Sequence, residues 1–303
     1  MNKAGLITKT GKDWTLSLGR FFMTACLLLA LSSCGGKQTF VSPGHMNAAE
    51  LNHRAETAFM TGDYDKSLDL YREALRVNRS MEDTDGIAVS LINIAAAYRK
   101  SGDTDNASLT LDSLLEDRTL SYPPNRLSFA AFLKAMLFMD ANSYGKASEW
   151  ADKARSFCGQ GACPLNGKLY NLRARIALAS KDFASAVTLG TEGLRFNRDL
   201  DDRMETANSL RIISEAKAAV GNYKEAGDML AEALALDKTM GKGTGVHADL
   251  MGLGRLALMK GDRTSALVLF RRALAVSEAS RDAEGAAEAL KMIGQCSTDS
   301  EKR

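Results

Sequence analysis

Gly221-Asn222-Tyr223-Lys224-Glu225-Ala226 reads as a tight turn followed by the start of a helix, and it recurs. Gly62-Asp63-Tyr64 leads to Ser67, Gly102-Asp103-Thr104 to Ala107, and Asn142-Ser143-Tyr144 to Ala147. Lys181-Asp182-Phe183 leads to Ala186, and Gly261-Asp262-Arg263 to Ala266. The turn positions 62, 102, 142, 181, 221 and 261 are separated by 40, 40, 39, 40 and 40 residues. So regular a period marks a repeat array, in which each unit is one supersecondary element that buries its apolar face on its neighbours.

Apolar spacing identifies the unit. Counting back from each turn places repeat starts at 48, 88, 128, 167, 207 and 247. In the first repeat Leu51, Ala55 and Ala58 share one face before the turn, and Ser67, Tyr71 and Ala74 share one after it. Steps of three, four and seven residues are helical. Each repeat is therefore helix A, turn, helix B. Glycine suits the end of helix A, where the backbone goes left-handed. The Asp or Asn beside it can satisfy free amides at the start of helix B. The small residue five positions past the turn lets the two helices approach closely, and a larger one would overpack. No stretch alternates apolar and polar residues between hairpin turns, so strands are not expected.

This pattern resembles the tetratricopeptide repeat. Ala55, Ala95, Ala135, Ala174, Ser214 and Gly254 match one small position of that family. Ser67, Ala107, Ala147, Ala186, Ala226 and Ala266 match a second, and Ala74, Ala154, Gly193 and Ala273 a third. Thr104 and Arg263 stand where an aromatic is usual, Lys181 replaces the turn glycine, and the repeat-closing proline is missing. The period of 40 implies helices longer than those of the shorter family repeat. The resemblance implies an all-α, right-handed α-α superhelix, a solenoid of six helical hairpins. A terminal helix over 284–296, with Leu290 and Ile293 inward, would cap the last hairpin.

The N-terminus reads differently. Phe21 to Leu31 is an uninterrupted apolar run of eleven, preceded by Lys3, Lys9, Lys12 and Arg20. That is signal-peptide length and too short to span a bilayer. Leu31-Ser32-Ser33-Cys34 resembles the lipobox of bacterial lipoproteins, although the basic region before the apolar run is long. The resemblance implies cleavage before Cys34, diacylglycerol on its thiol, and an acyl chain such as palmitate on the new amino group. Gly35 is not the aspartate of an inner-membrane retention signal, so the expected location is the outer membrane, facing the periplasm. The expected organisation is signal peptide 1–33, lipidated cysteine and flexible tether 34–46, solenoid 47–297 and a disordered tail 298–303. At full extension the tether reaches on the order of 40 Å.

Composition narrows the function. Of 39 basic and 37 acidic residues, four and one lie in 1–33, which leaves 35 and 36 in the remainder. A nearly neutral body makes no general case for nucleic-acid binding. His45, His53 and His247 are scattered, so no metal site is expected. Gly241-Lys242-Gly243-Thr244-Gly245 lacks P-loop spacing and follows a helix. No GxSxG or HExxH motif occurs. The reading is of a protein without catalytic residues or cofactor. Cys158 and Cys163 bracket a short Gly-rich loop and are either a disulfide or two free thiols, while Cys296 reads as a small buried apolar residue.

The tetratricopeptide resemblance also implies a concave groove lined by helix A, where a protein or peptide partner would lie. Carried onto this chain, the groove residues are Ile92, Arg99, Phe129, Phe132, Met136, Met139, Lys168, Asn171, Arg175, Arg211 and Arg255. Phe129, Phe132, Met136 and Met139 are the apolar anchors; they are equally read as packing between repeats. Lys168, Arg175 and Arg211 would orient an acidic or C-terminal group, or are simply solvated charge. The family's carboxylate clamp is not reproduced in order. The expected function is a membrane-anchored, non-enzymatic binding scaffold. Two alternatives are a subunit of an outer-membrane assembly, pilus or secretion machine, and a binder of a small glycan or lipid.

Overall fold

The computed structural model describes residues 42–159 and 163–298. The expected signal peptide and lipidated Cys34 lie outside the described residues, as does the expected tail beyond Thr298. The chain divides at Met46 into a short N-terminal unit and a unit of Asn47–Arg303, which holds the repeats.

Thirteen helices and no strands occur among the described residues. They are α1 (Pro43–Met60), α2 (Tyr64–Ser80), α3 (Thr84–Ser101), α4 (Thr104–Leu115), α5 (Pro124–Asp140), α6 (Tyr144–Phe157) and α7 (Asn166–Ala179). Then follow α8 (Phe183–Asp199), α9 (Arg203–Ala219), α10 (Tyr223–Thr239), α11 (Gly243–Met259), α12 (Arg263–Ala279) and α13 (Ala283–Thr298). Odd-numbered helices α1 to α11 are the A helices and the even-numbered ones their B partners. The repeat unit is an all-α helical-repeat superhelix of six hairpins and a thirteenth helix.

The turns behave as their residue types dictate. Gly62, Gly102, Gly221 and Gly261 have φ between 80 and 86°. Asn142 and Lys181 hold the equivalent turns at φ 55 and 61°, a conformation that costs a side chain roughly 1–2 kcal/mol. Asp63, Asp103, Asp182 and Asp262 each accept a backbone N–H from the residue three along, at 3.0–3.3 Å. Asn222 does not: no side-chain bond caps α10. The expected cap therefore operates where the residue is Asp, a charged acceptor at the positive end of the helix dipole, and fails at Asn222.

A second set of turns moves the element boundaries. Glu82, Asp201, Gly241 and Arg281 all have φ of 50–65° and link four of the six B helices to the helix that follows. Asp83, Asp202 and Asp282 then cap α3, α9 and α13 by accepting from Gly86, Glu205 and Gly285 N at 3.0–3.1 Å. Helix A therefore starts about one turn earlier than the apolar pattern places it, at 84, 203 and 243 rather than 88, 207 and 247. The added turn absorbs much of the long period. The first helix likewise begins before the position the apolar pattern gives it, at Pro43, where a missing N–H costs nothing.

Close packing sits at the small positions. Ala55, Ala95, Ala135 and Ala174, and across from them Ser67, Ala107, Ala147, Ala186, Ala226 and Ala266, are all fully buried. At Gly254 an added Cβ would lie 2.7 Å from Phe270 Cδ1, so the large Phe270 ring occupies the space that the glycine leaves. The second hairpin departs from the rest. Helix α4 has only 12 residues, and residues 116–123 are irregular. Asp117 organises that segment, accepting from Thr119 N, Thr119 Oγ and the Tyr122 hydroxyl at 2.6–2.8 Å. These bonds hold its carboxyl down at about 2, while burial and Asp117 push the Tyr122 phenol up to about 12.

The terminal helix differs from expectation on one face. Leu290 is 55% exposed, although its counterpart Leu250, 40 residues earlier, is 2% exposed. Leu250 is covered by its own B helix, and α13 has no such partner among the described residues. Ala289 and Cys296 are buried against the last hairpin instead, with Ile293 half-buried beside them.

Candidate functional site

Helices α5, α7, α9 and α11 present one face each to a common groove. Between α5, α7 and α9 lies a cavity of about 450 Å³. Phe132, Met136 and Met139 form its apolar side, with Leu172, Leu178 and Ile212; Lys168, Asn171, Arg175, Glu205, Arg211 and Glu215 form its polar side. A second cavity of about 470 Å³ shares Leu178, Ala179, Arg211 and Glu215 with the first and continues to Phe183, Arg255 and Met259. The structure thus brings seven of the expected groove residues into one cavity: Phe132, Met136, Met139, Lys168, Asn171, Arg175 and Arg211. Arg255 belongs to the second.

Three others lie elsewhere. Ile92 is 5% exposed and sits in the core, so it does not face a groove. Ile92 packs in the core cluster with Leu91 and Ala95, although Phe132 and Arg211, at the equivalent positions of later repeats, line the cavity. Phe129 is half-buried with its ring centroid 6.0 Å from that of Phe132, and it lines neither cavity. Arg99 donates to Asp140 at 2.6 Å at the end of α5.

Arg99 illustrates what most of the expected cations do. They fasten one A helix to the next. Arg99–Asp140 and Arg126–Asp85 join α3 to α5 at 2.6 and 2.7 Å. Lys168 lies 3.7 Å from Asp202, the cap of α9, and Arg255 lies 3.1 Å from Glu288 of α13. Hydrogen bonding from Arg126 holds the Asp85 carboxyl below its ordinary value. Asn171 is 4% exposed and wholly committed: its Nδ2 donates to the backbone O and Oε2 of Glu205 at 3.1 and 3.0 Å, and its Oδ1 accepts from Ser209 Oγ at 2.7 Å.

Arg211 is the extreme case. Its Nε donates to Asp249 Oδ1 at 2.7 Å, its Nη1 to Asn208 Oδ1 at 2.8 Å, and its Nη2 to Asp237. Asp237 and Asp249 are 1% and 0% exposed. Burial pushes the Asp249 carboxyl up, against the opposing pull of Arg211. Spread over two buried carboxylates, Arg211 has little charge left for a ligand. Arg175 is different. It is exposed, lines the cavity, and has no ion-pair or hydrogen-bond partner among the described residues.

The sequence carried a signal for this cluster. Asn78, Asn197, Asp237 and Ser277 recur at the end of helix B, all buried. Asn78 and Asn197 donate to Ser90 and Ser209 at 3.1 and 3.0 Å. Only in the fifth repeat are both members of the node acids, Asp237 and Asp249. That break in the 40-residue alignment is visible without coordinates.

Cys158 and Cys163, between α6 and α7, are joined in a disulfide with Cα atoms 5.3 Å apart. No group of three or more His, Cys, Asp or Glu is arranged to hold a metal among the described residues. Nor is any described helix long and apolar enough to cross a membrane.

Residues 46–118 match the family model described as tetratricopeptide repeat. No curated protein matches the chain. Among solved structures, BtubC from P. vanneervenii is 17% identical, with a TM-score of 0.54 over 80% of this chain and 94% of that one. A Rap protein complexed with competence and sporulation factor is 13% identical, with a TM-score of 0.63 over 84% and 72%. PilF of Pseudomonas aeruginosa is 13% identical, with a TM-score of 0.51 over 82% and 98%. At such identities the likeness is one of fold. The described chain is an all-α helical-repeat superhelix whose first hairpins, within 46–118, match the tetratricopeptide repeat.

Proposed function

We propose that this chain is a lipid-anchored, non-enzymatic tetratricopeptide scaffold of a bacterial cell envelope, which holds a protein or peptide partner along the inner face of its A helices. The observation that carries this reading is the first cavity. Phe132, Met136 and Met139 are only half-buried there, beside the unpartnered Arg175. A concave apolar surface with a few placed polar groups is the usual form of a binding site, and adaptable methionines suit a peptide. The Rap protein that shares this fold was solved in complex with competence and sporulation factor, which supports reading the chain as a partner-binding scaffold.

The anchor rests on Phe21–Leu31 followed by Leu31-Ser32-Ser33-Cys34-Gly35. Each methylene buried by an acyl chain contributes about 0.8 kcal/mol, so two or more chains on Cys34 would hold the protein on the membrane. Replacing Cys34 with Ser should move the protein from the membrane pellet to the soluble periplasmic fraction and abolish labelling by palmitate. A variant that stays in the membrane fraction would sink the anchor.

A photo-crosslinking side chain at position 136, used in intact cells, tests the groove. Partner adducts should form at 136 and disappear when Phe132 is replaced by Glu, with helicity by circular dichroism unchanged. Adducts unaffected by Phe132→Glu would refute the groove. Adducts only from positions on the outer B helices would favour an assembly subunit instead.

A further inference from the structure

The chain pairs off most of its groove charges and leaves two of them open in a fixed order. Met136, Arg175 and Glu215 occupy equivalent places on α5, α7 and α9, separated by 39 and 40 residues, and all three line the first cavity. The charged groups around them are already engaged: Lys168 with Asp202, Arg211 with Asp237 and Asp249, and Arg255 with Glu288. Arg175 and Glu215 are exposed and have no ion-pair partner among the described residues, and neither is bonded to the other. Of the remaining lining charges, Glu205 accepts from Asn171, and Lys181 stands at the rim in a turn. Along the groove the surface therefore reads apolar, positive, negative.

The spacing sets the ligand's form. Packed helices lie about 8–10 Å apart. A polyproline-II-like peptide brings every third residue to the same face, with an advance of about 9 Å. One peptide turn thus matches one repeat.

We infer that the groove takes an extended peptide segment of ordered charge: an apolar residue seated on Phe132, Met136 and Met139, an acidic residue three positions along facing Arg175, and a basic residue three further facing Glu215. This rests on the groove being the partner site. It adds a register, in which the acid and the base cannot be exchanged.

The test is a random twelve-residue peptide library displayed on phage and selected on three proteins: wild type, Phe132→Glu, and the charge exchange Arg175→Glu/Glu215→Arg. Circular dichroism establishes that each is folded. Wild type should enrich apolar-x-x-acidic-x-x-basic peptides, in one chain direction, that Phe132→Glu does not retain. The charge exchange should enrich apolar-x-x-basic-x-x-acidic. A synthetic wild-type consensus peptide should bind Arg175→Glu at least about tenfold more weakly, because apposed like charges oppose docking, and exchanging its acid for Lys should recover binding. Peptides that depend on Phe132 but show no charge order, or the same order on the exchanged protein, overturn the register while leaving the groove intact. Failure to enrich any peptide that Phe132→Glu loses would overturn the groove and the register together.

Discussion

Replacing Arg211 with Met would strip the counter-charge from two carboxylates that cannot reach water. Asp237 and Asp249 are 1% and 0% exposed, and Arg211 bonds to both. Methionine keeps much of the stem's packing but offers no donor. Removing one partner of a buried pair typically costs about 3–5 kcal/mol, because the remaining charge stays desolvated. With a urea slope near 3 kcal/mol per molar, the midpoint at pH 7 should fall by about 1–2 M. The loss should depend on pH, and its sign follows from the carboxyl. Burial already raises the folded-state value of Asp249 above its unfolded one, and Arg211 opposes that rise. A carboxyl with the higher value in the folded state binds more protons there, so stability falls as pH rises through the window between the two. Without Arg211 the window widens upward, each unit being worth about 1.36 kcal/mol. The deficit should thus shrink between pH 7 and pH 5, and adding Asp249→Asn to the variant should recover part of it. Urea titrations followed by circular dichroism at both pH values measure this. A deficit below about 1 kcal/mol at pH 7, or one equal at both pH values, would refute the argument that the cluster is held by a shared cation.

Gly167→Ala should destabilise despite better helix propensity. The new methyl would overlap Asn197 Oδ1, and Asn197 is pinned by bonds to Ser209 Oγ and Glu205 O at 3.0 and 3.3 Å. Overpacking of about 1–3 kcal/mol opposes a propensity gain of about 1, so the urea midpoint should fall, and Asn197→Ala in the same chain should restore it. Cys158→Ser removes the cross-link of a six-residue loop, worth about 2 kcal/mol on chain-entropy grounds. The melting temperature should fall by about 4–8 °C, and wild type with reductant should fall equally. An unmoved wild-type melt under reductant would show that the bond does not constrain the unfolded chain.

The hairpins were legible because close packing leaves few options: alanine, serine or glycine recurs at fixed offsets from each turn. The caps were half legible. Aspartate caps where expected, but Glu82, Asp201 and Arg281 hold left-handed turns with none of the glycines that would announce them. Each is followed by an Asp, and that dipeptide was the available clue. Missing it set the A helices a turn late. The apolar half of the cavity was readable from Phe132, Met136 and Met139. The polar half was not, because an Arg in a sequence does not reveal whether an Asp 26 or 38 residues away already holds it, as happens at Arg211.

The ionic straps between A helices also distribute mechanical stiffness unevenly. Charged pairs tie α3 to α5, α7 to α9, α9 to α11 and α11 to α13. Between α5 and α7 no such pair occurs among the described residues, and the contact there is methionine and phenylalanine against α7. Apolar side chains slide where paired charges resist, so bending at this joint, beside the first cavity, is opposed less than at the four strapped ones. Raising ionic strength would soften the exposed strapped joints while leaving this one unchanged. A groove whose jaws meet at a joint more pliant than the strapped ones flanking it can open for a ligand without disturbing the repeats on either side.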